Sequence, residues 1–150
     1  LVSWESVHGA IPNGAFVFMW SGWDVRYPDP YRTFNTATPN DSTTFHFPGF
    51  HPDAVTWLLK NRRISMIGVD TPSVDYGQTE VYDVHQIVGK ANVMGLENVN
   101  NLGRIPASGA TIIASPVKLF DGSGAPIRIL ALVTGSQEYS NACPKCSTYS

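Results

Sequence analysis

The stretch Pro52-Asp-Ala-Val-Thr-Trp-Leu-Leu-Lys-Asn61, followed closely by the run Ile64-Ser-Met-Ile-Gly-Val69, predicts a helix that leads into a buried strand. A proline fits the first turn of a helix, because its fixed φ suits the helix and its missing N–H has no partner there. Aliphatic side chains then recur at i, i+3 and i+4, the spacing of one buried helix face. These side chains are Val55, Leu58 and Leu59, and the helix is expected to end near Asn61–Arg63.

Shorter apolar runs on either side of this stretch predict further strands. Ala15–Trp20 is continuous and rich in aromatic residues, as in a strand buried on both faces. The polar segment Ser21–Pro48 after it is long enough to cover a site or an interface. Strand, helix and strand in this order predict an α/β domain rather than a β-sandwich. The remaining predicted elements are a short helix or turn at Val84–Lys90 and two strands at Thr111–Ser115 and Ile127–Val133.

The charge balance argues against a nucleic acid or a membrane as a partner. Of the 150 residues, 43% are hydrophobic and 15% are charged, and the formal net charge is -2. This length and apolar fraction suit one domain with a buried core. A near-neutral chain has no electrostatic attraction to a polyanion. No apolar run approaches the roughly 18 residues that a membrane-spanning helix needs.

Two features favour a secreted protein over a cytoplasmic one. The cysteines form Cys143-Pro-Lys-Cys146 in a polar tail without a helix signal, so a local or interchain disulfide is favoured over catalysis, with half a zinc site as an alternative. Asn40-Asp41-Ser42 is an N-glycosylation sequon, which predicts a glycoprotein. The chain starts at Leu1 with neither an initiator methionine nor a signal pattern, so we expect a processed product, a fragment or a partial sequence.

Candidate chemistry gathers after the strand Ile64–Val69, where acidic residues and one histidine follow each other. Ligand sites in open α/β sheets form beyond the carboxyl ends of strands. Imidazole nitrogen and carboxylate oxygen are ligands for zinc, manganese and iron. Spacing alone leaves structural roles open, because an aspartate after a strand often forms a turn or a helix cap and a lone histidine often only donates a hydrogen bond. The residues are Asp70, Asp75, Glu80, Asp83, His85 and Glu97.

Other catalytic routes have less support. The sequence has no Gly-x-Ser-x-Gly motif for a serine nucleophile, and no base accompanies the tail cysteines. His46 and His51 flank Phe47-Pro-Gly-Phe50, where they suit a loop and the start of a helix. These histidines are therefore interpreted as structural.

Several short motifs occur in a fixed order along residues 4–133. They are Val7-His-Gly-Ala-Ile-Pro-Asn-Gly-Ala15, Trp20-Ser-Gly-Trp23, Phe47-Pro-Gly-Phe50, Gly68-Val-Asp-Thr-Pro-Ser-Val-Asp75, Leu96-Glu-Asn98, Asn101-Leu102, Arg104-Ile-Pro106 and Gly122-Ser-Gly-Ala-Pro-Ile-Arg128. In this order they resemble the cyclase family of metal-dependent hydrolases, whose best-known member is bacterial kynurenine formamidase. The ordered series carries the resemblance, since each motif is weak by itself.

The resemblance implies an α/β fold with a mixed sheet and flanking helices, of which this chain is the C-terminal portion, and one or two divalent metals, zinc or manganese. In the family, a histidine and a glutamate twelve residues later complete the second metal position, and His85 and Glu97 match that pair. The family's His-x-Gly-Thr-His-x-Asp motif and its general acid/base histidine lie upstream and are absent from this chain. Asp70 and Asp75 are expected to shape the strand end and to orient His85 or the loop.

Two functions are compatible with these observations. The first is hydrolysis of an amide or lactam bond in a small molecule. Residues 1–135 are then the C-terminal part of a single cyclase-like domain, residues 136–150 are a polar tail, and the missing N-terminal half lies upstream or on a second chain. The second is a non-catalytic cyclase-like protein with a binding, storage or structural role. Because family members are dimers or tetramers, the resemblance also implies a homo-oligomer.

Overall fold

The computed structural model describes residues 1–134, which fall into two compact units divided after Gly103. The predicted tail, with Cys143 and Cys146, lies outside the described residues, and the single domain over residues 1–135 stays a prediction. Within residues 1–134, every helix is too short or too polar to cross a bilayer. The helices are α1 (Val2–His8), α2 (Pro30–Thr33), α3 (Pro52–Asn61) and α4 (Asp83–Lys90), and the strands are β1 (Phe16–Met19), β2 (Met66–Val69), β3 (Met94–Leu96), β4 (Thr111–Pro116) and β5 (Ile127–Leu132).

The first unit, residues 1–103, is built on a parallel sheet with the strand order β1-β2-β3. Its central strand β2 is mostly buried, whereas β1 is half-buried along its length. The prediction of a strand buried on both faces was therefore wrong for β1, because the described residues cover its side chains only in part. Strand β3 has three residues with Gly95 at its centre, and it was not predicted. All three carboxyl ends lie at one edge of this sheet, where ligands bind in α/β folds.

Helices α3 and α4 contribute to the core of this unit. Each places two aliphatic side chains there, Val55 and Leu58 from α3 and Val84 and Val88 from α4. Helix α3 begins with Pro52 as predicted, and it ends within the predicted range. The core is completed by Ile11, Phe50, Ile64, Ile67, Val69 and Val74.

The second unit contains an antiparallel hairpin of β4 and β5, which confirms the two strands predicted there. Its cross-strand register places apolar side chains on both faces of the hairpin. Parallel and antiparallel strands together with the helices confirm the predicted α/β class. One face holds Ile112, Ala114, Ile129 and Ala131, and the other holds Ile113, Leu130 and Leu132, which are exposed.

Candidate metal centre

Helix α4, which carries His85, begins without a cap of its own. Its N-cap residue Tyr82 has a left-handed backbone (φ 52°) and makes no capping bond with its side chain. The cap comes from Asp75, whose carboxylate accepts hydrogen bonds from the backbone N–H groups of Val84 (2.8 Å) and His85 (3.1 Å). A distant carboxylate therefore satisfies first-turn donors that have no partner within the helix.

The imidazole of His85 is held by the same carboxylate. His85 Nδ1 lies 2.6 Å from Asp75 Oδ2. Because an ionised carboxylate can only accept, Nδ1 carries the proton, and in the neutral ring Nε2 keeps its lone pair. Asp75 is buried, whereas the His85 side chain is 48% exposed. The ring is therefore fixed through Nδ1, although about half of the side chain is exposed.

Glu97 meets the free nitrogen of His85. It follows β3 directly, and its Oε1 lies 3.3 Å from His85 Nε2. The same oxygen accepts a hydrogen bond of 3.1 Å from the backbone N–H of Val74. The structure thus brings together the two residues that the family resemblance selected, and both are held by the segment Val74–Asp75.

The separation of the two donor atoms fits a shared metal ion. Nitrogen and oxygen ligands lie about 2.0–2.2 Å from zinc, so that two ligands of one tetrahedral ion are about 3.4 Å apart. The 3.3 Å between His85 Nε2 and Glu97 Oε1 matches that spacing. No group of three or more histidine, cysteine, aspartate or glutamate side chains that could hold a metal occurs within residues 1–134. The donor pair fits part of a metal site and leaves positions for other ligands.

The other acidic candidates do not join this pair. Asp70, 3% exposed, directs its carboxylate at the turn after β1, where it accepts bonds from Ser21 N (3.0 Å), Ser21 Oγ (2.6 Å) and Trp23 N (2.7 Å). It shapes the strand end, as expected. Glu80 and Asp83 are exposed. None of these three carboxylates contacts His85 or Glu97.

The remaining histidines have structural contacts. His46 bonds the Thr44 carbonyl oxygen through Nδ1 and lies 3.3 Å from Gln78 through Nε2. His51 Nδ1 accepts the Asp53 N–H at the start of α3. The interpretation of His46 and His51 as loop and helix-start residues therefore agrees with their contacts.

Sequence reasoning missed two participants in the site. The first is the Val74 N–H, because a backbone donor leaves no mark in the residue type. The second is Tyr82, whose ring meets the His85 ring edge-on at 6.0 Å between centroids. Tyr82 also lines a cleft of about 190 Å³. Its aromatic walls include Phe34 and Phe45, stacked at 4.3 Å, together with Phe47 and Tyr76.

Comparison with known proteins gives consistent results. Residues 1–76 match the model of the cyclase family, described as "Putative cyclase". The chain is 37% identical to isatin hydrolase of Roseibium aggregatum over 87% of this chain and 49% of that protein. It is 29% identical to kynurenine formamidase of Bordetella pertussis over 55% of this chain and 38% of that protein. The chain spans about half the length, or less, of these curated relatives.

Solved structures agree with these sequence matches. Isatin hydrolase A from Ralstonia solanacearum superimposes with a TM-score of 0.80 at 36% identity, over 89% of this chain and 51% of that one. A structure described as a potential metal-dependent hydrolase with cyclase activity gives a TM-score of 0.62 at 22% identity, over 83% of this chain and 54% of that one. The second match supports the fold alone.

Proposed function

This chain belongs to the cyclase family, and on that premise we propose that it is part of a metal-dependent hydrolase that cleaves an amide or lactam bond in a small molecule. The observation that carries the proposal is the pair formed by His85 Nε2 and Glu97 Oε1, which face each other at 3.3 Å. Relatives named isatin hydrolase and kynurenine formamidase support the reaction class.

In this proposal His85 and Glu97 hold one divalent cation, zinc or manganese. The Glu97 carboxylate offsets the charge of the ion, and the Val74 N–H keeps that carboxylate aimed at His85. Neutral imidazole and carboxylate are ordinary ligands for both metals. When bound, such a cation supplies a Lewis acid for the carbonyl under attack and activates water.

The proposed site is completed by residues outside this chain. A catalytic zinc takes three protein ligands and keeps one open position, and the donor pair supplies two. We propose that a segment corresponding to the other half of the relatives, on the same or a second polypeptide, brings the remaining ligands and a histidine that moves the proton. A homo-oligomer of such units is part of the same proposal.

The cleft beside Tyr82 suits a small substrate. Its aromatic walls can pack against a planar ring of a ligand, and the Ser73 and Thr79 hydroxyls accept bonds from the backbone N–H groups of Asp75 and Tyr82. Because each hydroxyl keeps its own proton, both can donate to a carbonyl or carboxylate. The cleft is smaller than typical drug-sized pockets, so it favours a ligand about the size of one or two rings.

The proposal is tested on the protein as purified from its source, by metal analysis. We expect near-stoichiometric zinc or manganese in the natural protein and loss of that metal in His85→Ala. His46→Ala is the matched control, because it removes an exposed loop histidine outside the donor pair. Full retention of metal in His85→Ala would overturn the ligand assignment.

Intact mass and N-terminal sequencing of the same preparation test the need for further residues. We expect a longer polypeptide or a second chain that carries additional histidine and aspartate ligands. A preparation that contains this chain alone, without metal and without hydrolysis of cyclic amides or formanilides, would contradict the hydrolase and support the non-catalytic alternative.

A further inference from the structure

We propose that Asp75, whose backbone packs against Gly49 of the segment Phe47–Phe50, is a positioning residue that fixes the tautomer of His85. The functional importance of this positioning rests on the proposed metal role of His85. The positioning itself is argued from hydrogen-bond geometry. A test on metal-free protein can therefore separate the two.

The two carboxylate oxygens of Asp75 accept hydrogen bonds from different donors in the first turn of α4. Oδ1 accepts the Val84 N–H, while Oδ2 accepts both the backbone N–H and the Nδ1–H of His85. Three donors thus converge on one carboxylate that is only 2% exposed. The Asp75 carboxylate caps the start of α4 and also accepts the Nδ1–H bond of His85. The position of His85 in the helix and the location of its ring proton are therefore coupled.

An amide at position 75 cannot reproduce this arrangement. Asparagine has one accepting oxygen and one donating NH₂ group in place of two acceptors. If its oxygen faces Val84, its NH₂ group faces His85, so that Nδ1 must accept and the proton moves to Nε2. If the amide is reversed, its oxygen keeps both bonds from His85, but its NH₂ group faces the Val84 N–H and that cap bond is lost. Only a carboxylate satisfies both neighbours.

The backbone of Asp75 packs against the segment Phe47–Phe50. A Cβ atom built on Gly49 overlaps the carbonyl carbon of Asp75 and the amide nitrogen of Tyr76. The next residue, Phe50, donates its N–H to the Val74 carbonyl oxygen at 2.8 Å. Gly49 is therefore in direct contact with the segment that touches both His85 and Glu97, and any side chain there displaces that segment.

Long-range ¹H–¹⁵N NMR of histidine tautomers tests the proposal on the complete protein after removal of metal by a chelator. In mildly alkaline buffer, where an ordinary imidazole is neutral, we expect the Nδ1–H tautomer at His85. The signal is assigned by its absence in His85→Gln. In Asp75→Ala, which removes the acceptor of the Nδ1–H bond, we expect the Nε2–H tautomer. Asp75→Glu, which restores a carboxylate, is expected to return the ring towards Nδ1–H.

Asp70→Ala is the matched control, because Asp70 is similarly buried and its bonds go to the turn Ser21–Trp23. It is expected to leave the His85 tautomer unchanged. When metal is added back, Asp75→Ala is expected to bind it about 10- to 100-fold more weakly, as for the loss of other carboxylates that orient metal-binding histidines. Asp70→Ala is expected to keep the original affinity for the metal.

Two results would overturn the proposal. One is an Nε2–H tautomer at His85 in the unmodified protein, a measurement that does not depend on whether any variant folds. The other is a folded Asp75→Ala protein, by far-ultraviolet circular dichroism, that keeps the Nδ1–H tautomer. Failure of every form to bind metal would instead count against the proposed function and leave the tautomer result standing.

Discussion

Helices α3 and α4 start in different ways, and the difference separates a structural helix from one that carries a functional residue. Helix α3 is capped by the residue directly before it, since His51 accepts the Asp53 N–H. Helix α4 is capped by Asp75, nine residues before the Val84 N–H that it binds. A local cap serves one helix, whereas the distant cap joins α4 to the loop after β2.

This difference shows how the fold aims a side chain. The cap of α3 does not fix the position of the helix. Packing fixes it, because Val55 and Leu58 are fully buried. The cap of α4 also binds the His85 ring, so the start of the helix and the donor atom cannot move independently. We therefore expect core substitutions in α3 to lower the free energy of unfolding strongly, and loss of its cap to lower it only weakly.

The largest effect is expected from Leu58→Ala, which breaks the packing of α3. Truncation of a buried leucine commonly costs about 2–5 kcal/mol of unfolding free energy, from lost burial and the cavity that remains. Urea denaturation measures this loss. Lys60→Ala, an exposed change in the same helix, is the control and should stay within about 0.5 kcal/mol. A loss below about 1 kcal/mol for Leu58→Ala would refute the dominance of packing.

A smaller, pH-dependent effect is expected at the end of α3. Glu5 accepts bonds from Arg62 Nε (2.7 Å) and Nη2 (2.5 Å), and from the Ile11 N–H (2.8 Å). The hydrogen bond from Arg62, followed by the one from Ile11, lowers the pKa of Glu5 from 4.5 to about 2. Because the folded state favours the ionised form, this stabilisation is present above pH 4.5 and is lost as the pH falls towards 2.

Urea denaturation across this acid range, compared with Glu5→Gln, measures the contribution. The variant should lose part of the stability at neutral pH and show a shallower decline on acidification. Glu80→Gln, which changes an exposed carboxylate, should keep the slope of the unmodified protein. An unchanged slope in Glu5→Gln would show that the ion pair does not stabilise α3.

The smallest effect is expected from loss of the α3 cap. His51→Ala removes one acceptor from an exposed position, and such caps contribute about 0.5–1 kcal/mol. Thermal or urea unfolding measures the loss, and His51→Ser or His51→Asp should recover it because these residues are preferred caps. A loss of unfolding free energy as large as that of Leu58→Ala would contradict the expectation that α3 depends on packing more than on its cap.

The same contrast explains what could be predicted from sequence. The bounds of helix α3 can be predicted closely because its signals are local. These signals are a proline at its start and a stripe of aliphatic residues. Helix α4 stayed ambiguous between helix and turn, since its cap is distant in sequence. Strand β3 was missed because three residues around a glycine carry no strand pattern.

The candidate site was foreseen only in part. Spacing alone left His85 and Glu97 as ordinary polar residues, and the family resemblance selected them. The structure brings their donor atoms together, and a metal role for them stays a prediction. The contacts that hold them come from a backbone N–H at Val74 and from close backbone packing at Gly49, which residue types do not encode. Such contacts appear only when the chain is folded.

The distant cap of α4 also has a consequence for hydrogen exchange. First-turn amides of a helix normally exchange quickly with solvent, because they lack partners within the helix. The amides of Val84 and His85 are bonded to the buried carboxylate of Asp75. They therefore exchange only when these hydrogen bonds break or the start of α4 unfolds locally. The exchange rates of these two amides therefore report how often the bonds between Asp75 and the start of α4 open in the ligand-free protein.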